Sequence, residues 1–228
     1  MYHKIAIVCA GDDELAPVLP MIETPVITEK AMLRFYEGTL CGMPIVTMYT
    51  GVCKVNAAIA AQILIDHFHV DAIINIGTAG GIDPAVQLFD TIISTETAYH
   101  DVEPNILTEF HPWLPTVWFP ADLALLDAAK RAAQNCSYPI HFGRMVTGEQ
   151  FITDDHRDEI IAGFAPLSTD METAAFHHVC YVNKIPFLSV RSITDTAEHS
   201  GTVNFDMNCT SASEISIRIT MEILKQLP

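Results

Sequence analysis

The sequence predicts an α/β fold: a single domain over residues 1–228 with a central mixed β-sheet flanked by helices. Three observations carry this. Short apolar runs such as Ile5–Cys9 and Ala72–Ile76 have the character of strands covered on both faces. Amphipathic stretches alternate with them, as in strand–helix units. The 228 residues are 50% hydrophobic, enough for one large core and too apolar for disorder.

The elements follow in order. Ile5–Cys9 is the first strand. Leu33–Tyr36 and Pro44–Tyr49 form a hairpin turned at Gly42. Lys54–Phe68 is a helix with Val55, Ile59 and Ile63 along one face. Ala72–Ile76 and Thr91–Ser94 are buried strands. Pro104–Pro120 holds both tryptophans, Trp113 and Trp118, and reads as a long ordered loop. Ala121–Ala133 is helical, His141–Val146 and Leu188–Val190 are strands, and Met171–Val182 is a helix between them. Near the end, Ile215, Ile217 and Ile219 alternate as in a strand, while Ile215, Ile219 and Ile223 fit a helix; periodicity leaves both open.

Charge and composition exclude several function classes. There are 12 Lys and Arg against 28 Asp and Glu, a net charge of -16. Nucleic-acid binding needs clustered cations, so no nucleic-acid partner is expected. A mean hydropathy of +0.26 points to apolar surface covered by a partner, another copy being one candidate. No run approaches the ~18 apolar residues of a spanning helix, so no membrane association is expected. The apolar stretch Ile5–Ala10 is short for a signal peptide and is followed at once by Gly11-Asp12-Asp13-Glu14. The six cysteines are scattered without a CxxC pair, which fits a reducing cytoplasm.

In α/β proteins ligands sit at the carboxyl ends of strands. Five such ends carry chemistry. Asp12-Asp13-Glu14 follows the first strand, where acids also suit a helix start. Gly77-Thr78-Ala79-Gly80-Gly81 is a glycine turn able to present backbone N–H groups, though it is neither GxGxxG nor a P-loop. Gly148-Glu149-Gln150-Phe151-Ile152 offers an aromatic face for stacking, or a core residue. Thr169-Asp170-Met171-Glu172 has the spacing of a capping box. Arg191-Ser192-Ile193-Thr194-Asp195 ends in an acid that serves equally well as an N-cap.

Taken jointly, GTAGG, GEQFI, DMET and RSITD, in this order and spacing, resemble the 5′-methylthioadenosine/S-adenosylhomocysteine nucleosidases of the nucleoside phosphorylase superfamily. The resemblance runs from about Ile5 to Phe205 and more weakly to the end. It implies a nucleoside phosphorylase-like fold and a hydrolase that cleaves the N-glycosidic bond between adenine and a 5-thioribose sugar with water. Adenine is a poor leaving anion, so an acid must protonate N7, and Asp195 matches the family's acid. An exposed Asp ionises near about pH 3.9, so the site must raise it, and burial is the means. The sugar becomes cationic, as in glycoside hydrolysis. Glu14 matches the residue that takes a proton from the attacking water; Thr78 and Arg191 match residues that hold that water. Glu172, with the Met171 backbone beside it, matches the ribose-binding position, in competition with the capping box. Phe151 and Ile152 match the base pocket, Phe205 a pocket aromatic, and Val52 the alkylthio wall.

The chain departs from the family at Val102-Glu103-Pro104-Asn105, in a slightly shorter loop to Phe119, at Asp170 where a Glu is common, and after Phe205. The 102–115 region lines the 5′ pocket in the family, partly from a neighbouring subunit, so a homodimer is implied and the 5′ group is the least defined part of the substrate. Phosphorylases carry Arg after the first strand and before the Thr91–Ser94 strand; here those stretches read Asp12-Asp13-Glu14 and Leu88-Phe89-Asp90. Carboxylates beside phosphate would be opposed by several kcal/mol in a low-dielectric pocket. Phosphate-independent cleavage is therefore expected. The alternatives are another 5′-modified adenosine such as aminofutalosine or 5′-deoxyadenosine as substrate, a phosphorylase, or a non-catalytic nucleoside-binding protein. No cofactor and no metal are expected: His177-His178 lack the i, i+4 spacing of paired ligands, His67 and His69 read as surface residues, and His100-Asp101 as structural.

Overall fold

The computed structural model describes residues 2–110, 114–152, 154–196 and 202–228. In chain order the elements are β1 (Ile5–Cys9), α1 (Asp12–Leu15), β2 (Glu23–Lys30), β3 (Leu33–Leu40), β4 (Met43–Tyr49), α2 (Lys54–Asp66), β5 (Ala72–Gly81), β6 (Thr91–Tyr99), α3 (Pro104–Glu109), β7 (Phe119–Pro120), α4 (Leu123–Ala133), β8 (Ile140–Thr147), α5 (Asp154–Phe164), β9 (Ser168–Asp170), α6 (Thr173–Asn183), β10 (Phe187–Asp195) and α7 (Thr202–Leu224). All ten strands share one mixed sheet.

At the centre of the sheet β4, β1, β5 and β10 run parallel. Their side chains alternate between two helical layers. Ile5 and Ile7 of β1, Ile74 of β5 and Leu188 of β10 pack with Leu125 of α4 and Ile217, Ile219 and Ile223 of α7. Ala6, Val8, Ile73 and Phe187 pack on the other side with Ala57, Ala60 and Leu64 of α2 and Phe176 of α6. Both faces are covered, which is why these strands are apolar without alternation. Strand β10 bonds to β5 on one side and to β6 on the other. With β6–β8, β8–β9 and β9–β5 pairings, five strands close into a circuit.

The expected hairpin, helices and strands are present, with longer strands than the apolar runs indicate. The expected glycine turn is instead strand: β5 continues through Gly77–Gly81, and β6 through Tyr99. Three readings change. The C-terminal segment is a helix, because its buried face, with Ile217, Ser216, Thr220 and Ile223 at or near zero exposure, is wide enough to lie across β10, β5 and α4. Helix α2 buries its alanines, while Val55 and Ile59 stay 69% and 46% exposed; the small side chains let α2 approach the sheet and α6. The 104–120 segment is not wholly loop: it contains α3 and β7, and Trp118 lies under the Arg144 guanidinium at 4.4 Å. Trp113 falls outside the described residues.

Candidate active site

The carboxyl ends of β1, β5 and β10 face the loop after β9 across a cavity of about 460 Å3. The ten residues expected at the site, Glu14, Val52, Thr78, Phe151, Ile152, Met171, Glu172, Arg191, Asp195 and Phe205, all line it.

Glu14 is built in by α1. The helix is one turn long, and its first three residues are acids, but only Glu14 turns inward and is buried; Asp12 and Asp13 stay at the rim. Its Oε2 accepts from the backbone N–H of Ala10 (2.8 Å) and Gly11 (3.0 Å). Its Oε1 accepts from Thr78 N–H (2.7 Å) and Thr78 Oγ1 (2.9 Å). Four donors on one buried carboxylate go well beyond a dipole-complementing surface acid.

Gly77 makes that approach possible. Its φ is +124°, and a Cβ there would lie 2.4 Å from Glu14 Oε1. Gly77→Ala is expected to lower the melting temperature, since the backbone alone resists by about 1–3 kcal/mol, and to remove turnover by displacing the carboxylate. Thermal melting and an activity assay check this; a variant as stable and active as the parent overturns it.

Arg191 is a buried cation of the site, 2% exposed. Nε meets Asp170 Oδ2 at 2.9 Å, Thr173 Oγ1 at 3.0 Å and Asn75 Oδ1 at 3.2 Å. Nη2 donates to Asn75 Oδ1 (2.9 Å) and Glu172 Oε2 (3.2 Å), and Nη1 to the Thr78 carbonyl (2.7 Å). Burial by itself would lower this guanidinium, but Asp170, Glu172 and Glu14 together raise it, so it remains a cation.

The capping box at Thr169–Glu172 does not form. Glu172 is itself the N-cap of α6, and its side chain makes no capping bond. Asp170 Oδ1 takes that role, accepting from the N–H groups of Glu172 (3.2 Å) and Thr173 (3.1 Å). Glu172 is thereby left for the cavity, with Oε1 held by Cys53 N–H at 2.9 Å. Cys53 reaches it from a left-handed turn, φ +82°, at the start of α2. Burial pushes the Glu172 carboxyl above the ordinary range; Arg191 pulls it down and Asp170 pushes it further up.

Asp195 ends β10 beside Gly80, where a Cβ would come within 3.0 Å of its Oδ2. Its Oδ1 accepts from Thr194 Oγ1 at 2.8 Å. Burial raises this carboxyl, opposed by the Thr194 hydrogen bond and by the Arg157 charge. Phe151 stands at the lip, 37% exposed, with Ile152 buried behind it. Phe205 comes from the first turn of α7, and Val52, half exposed, precedes α2.

Sequence reasoning missed Asn75, Thr173 and Arg157, and noted Asp170 only as a departure. One signal was available: Asn75 is the sole polar residue in the run Ala72–Ile76, and a polar group in a fully buried strand needs a partner. Among the histidines set aside, His67 and His69 are exposed. His177 is buried between Thr97 Oγ1 (2.9 Å) and the Pro120 carbonyl (3.1 Å), and burial drives it down to about 3, so the ring is neutral.

Residues 4–225 match the family model described as the phosphorylase superfamily, which sets the class. The 5′-methylthioadenosine/S-adenosylhomocysteine nucleosidase of Exiguobacterium sp. is 34% identical over 230 residues, covering 98% of this chain and 98% of that protein. The crystal structure of the enzyme of that name from Neisseria meningitidis, in complex with methylthio-immucillin-A, matches with a TM-score of 0.91 and 31% identity over 99% of this chain and 100% of that one. The enzyme from Colwellia psychrerythraea, in complex with adenine, matches with a TM-score of 0.89 and 32% identity over 100% and 96%. The chain belongs to the 5′-methylthioadenosine/S-adenosylhomocysteine nucleosidase family of that superfamily.

Proposed function

We propose that this protein hydrolyses the N-glycosidic bond of 5′-methylthioadenosine and S-adenosylhomocysteine, releasing adenine and the 5-thioribose sugar. The observation that carries this is the convergence of three buried carboxylates, Glu14, Glu172 and Asp195, on one cavity. Asp195, its carboxyl raised by burial, donates to N7 as the bond from C1′ to N9 breaks. The cationic sugar is stabilised by the carboxylates around it. Water attacks C1′ and gives its proton to Glu14. For that, one of the four donors on Glu14 has to give way, and Thr78 Oγ1 is the hydroxyl among them, able to turn and accept instead. Arg191 and Thr78 help hold the water. Glu172 takes the ribose hydroxyls, Phe151 stacks on the base, Ile152 borders its edge, and Met171, Phe205 and Val52 close the sugar and 5′ side.

Phosphate is poorly served. Of the described residues lining the cavity, Arg157 and Arg191 carry positive charge. Arg191 is committed to Asp170, Glu172 and Thr78, while Arg157 donates to the Gly81 carbonyl and acts on Asp195. Adenine release from 5′-methylthioadenosine is expected at the same rate with and without inorganic phosphate. A strict phosphate requirement with a pentose 1-phosphate product overturns this, and a panel of 5′-substituted adenosines fixes the 5′ preference.

The exposed apolar residues Val55 and Ile59 of α2, Val182 of neighbouring α6 and Val52 at the cavity suit a homodimer interface reaching the site. No helix among the described residues is long and apolar enough to cross a membrane. All six cysteines are unpaired, which supports a cytoplasmic location.

A further inference from the structure

Asn75 lies in the middle of β5, between Val8 of β1 and Ser189 of β10. It is fully buried and stands behind the cavity wall rather than in it. Its Oδ1 accepts from Arg191 Nη2 (2.9 Å), Arg191 Nε (3.2 Å) and Thr173 Oγ1 (2.8 Å). Its Nδ2 donates to the Val8 carbonyl at 3.1 Å. One carboxamide thus ties the strand leading into Glu14 to the guanidinium that holds Glu172. Arg191 completes the chain: Nη1 fixes the Thr78 carbonyl, and Thr78 holds Glu14 through N–H and hydroxyl.

We propose that Asn75 is a positioning residue for the nucleosidase site, setting Arg191 so that Glu172 is aimed at the ribose hydroxyls and Glu14 at the water. The inference rests on the function proposed above and deepens it. An amide suits this place better than an acid. Glu14, Asp170 and Glu172 already surround one guanidinium, and a neutral acceptor orients Arg191 without adding a fourth buried negative charge. Its N–H group also donates to the Val8 carbonyl, which a carboxylate oxygen would repel. A misplacement of about 1 Å far from the reacting atoms is enough to cost about a hundredfold in rate.

The test compares Asn75→Leu with Asn75→Asp. Both lose the bond to the Val8 carbonyl, but the aspartate keeps an acceptor for Arg191. The readouts are thermal melting, and kcat/KM for adenine release from 5′-methylthioadenosine and from its 2′-deoxy counterpart. Asn75→Leu is expected to lower the ribose-to-deoxyribose ratio by about tenfold or more, because Glu172 loses its aim, and to lower kcat/KM by about a hundredfold. Asn75→Asp is expected to keep the ratio. A general loss of stability would reduce both substrates alike. An unchanged ratio in folded Asn75→Leu overturns the inference. Should Asn75→Leu not fold, a collapsed ratio in Asn75→Asp overturns it. Parent protein that releases no adenine overturns the nucleosidase function itself, and this inference with it.

Discussion

Asp195→Asn is expected to lower adenine release by about 10³-fold while nucleoside binding persists. The amide keeps the shape and accepts from Thr194, but it has no acidic proton for N7. The same change has a second, opposite signature. Burial raises the Asp195 carboxyl, so the folded protein favours its protonated form. The stability linked to that form is present below the ordinary carboxylate range and is lost as pH rises through the raised value. Asparagine never ionises. The variant should therefore be at least as stable as the parent at neutral pH, and its advantage should vanish at acidic pH. Turnover, nucleoside binding and melting at two pH values measure all three. Undiminished turnover refutes the acid role.

Glu14→Gln is the second large effect. Both oxygens of Glu14 face donors only: two backbone N–H groups on one side, Thr78 N–H and hydroxyl on the other. Whichever way the glutamine amide turns, its NH2 meets a backbone N–H. The variant loses the acceptor for the water's proton and places donor against donor. The expected outcome is a loss of about 10²–10⁴-fold in turnover together with about 1–3 kcal/mol in stability. Steady-state kinetics with denaturant unfolding measures both. A variant that is less stable but hydrolyses normally would show that Glu14 only braces the glycine turn.

The sequence made the site more legible than the frame around it. Functional side chains follow apolar runs, and the runs are unmistakable where both faces are buried, as at Ile5–Cys9 and Ala72–Ile76. Roles are what the resemblance implies, and four short motifs in their joint spacing carry that resemblance. The capping box at Thr169–Glu172 was misleading for a local reason: Asp170 sits within reach of the same N–H groups and captures them first. Strand β2, Glu23–Lys30, went unseen because it is exposed along nearly its whole length and contains Pro25, so no period marks it. Helix α2 shows why an apolar stripe is ambiguous. Its Val55 and Ile59 face outward while alanines meet the sheet, and an exposed apolar stripe reads like a core face. The network behind the cavity depended on pairings between distant strands, and a lone Asn in a strand does not announce its partner.

The closed circuit β5–β10–β6–β8–β9 has a consequence for how the protein meets heat. A strand in an open sheet can peel from its edge, but a strand bonded on both sides opens only when a neighbour does. Asn75, Asp170, Arg191 and Asp195 all sit on this ring. The ordering of these polar groups is therefore completed during folding, before any nucleoside arrives. On warming, activity and the native fold are expected to be lost together, and residual turnover followed beside thermal melting checks this.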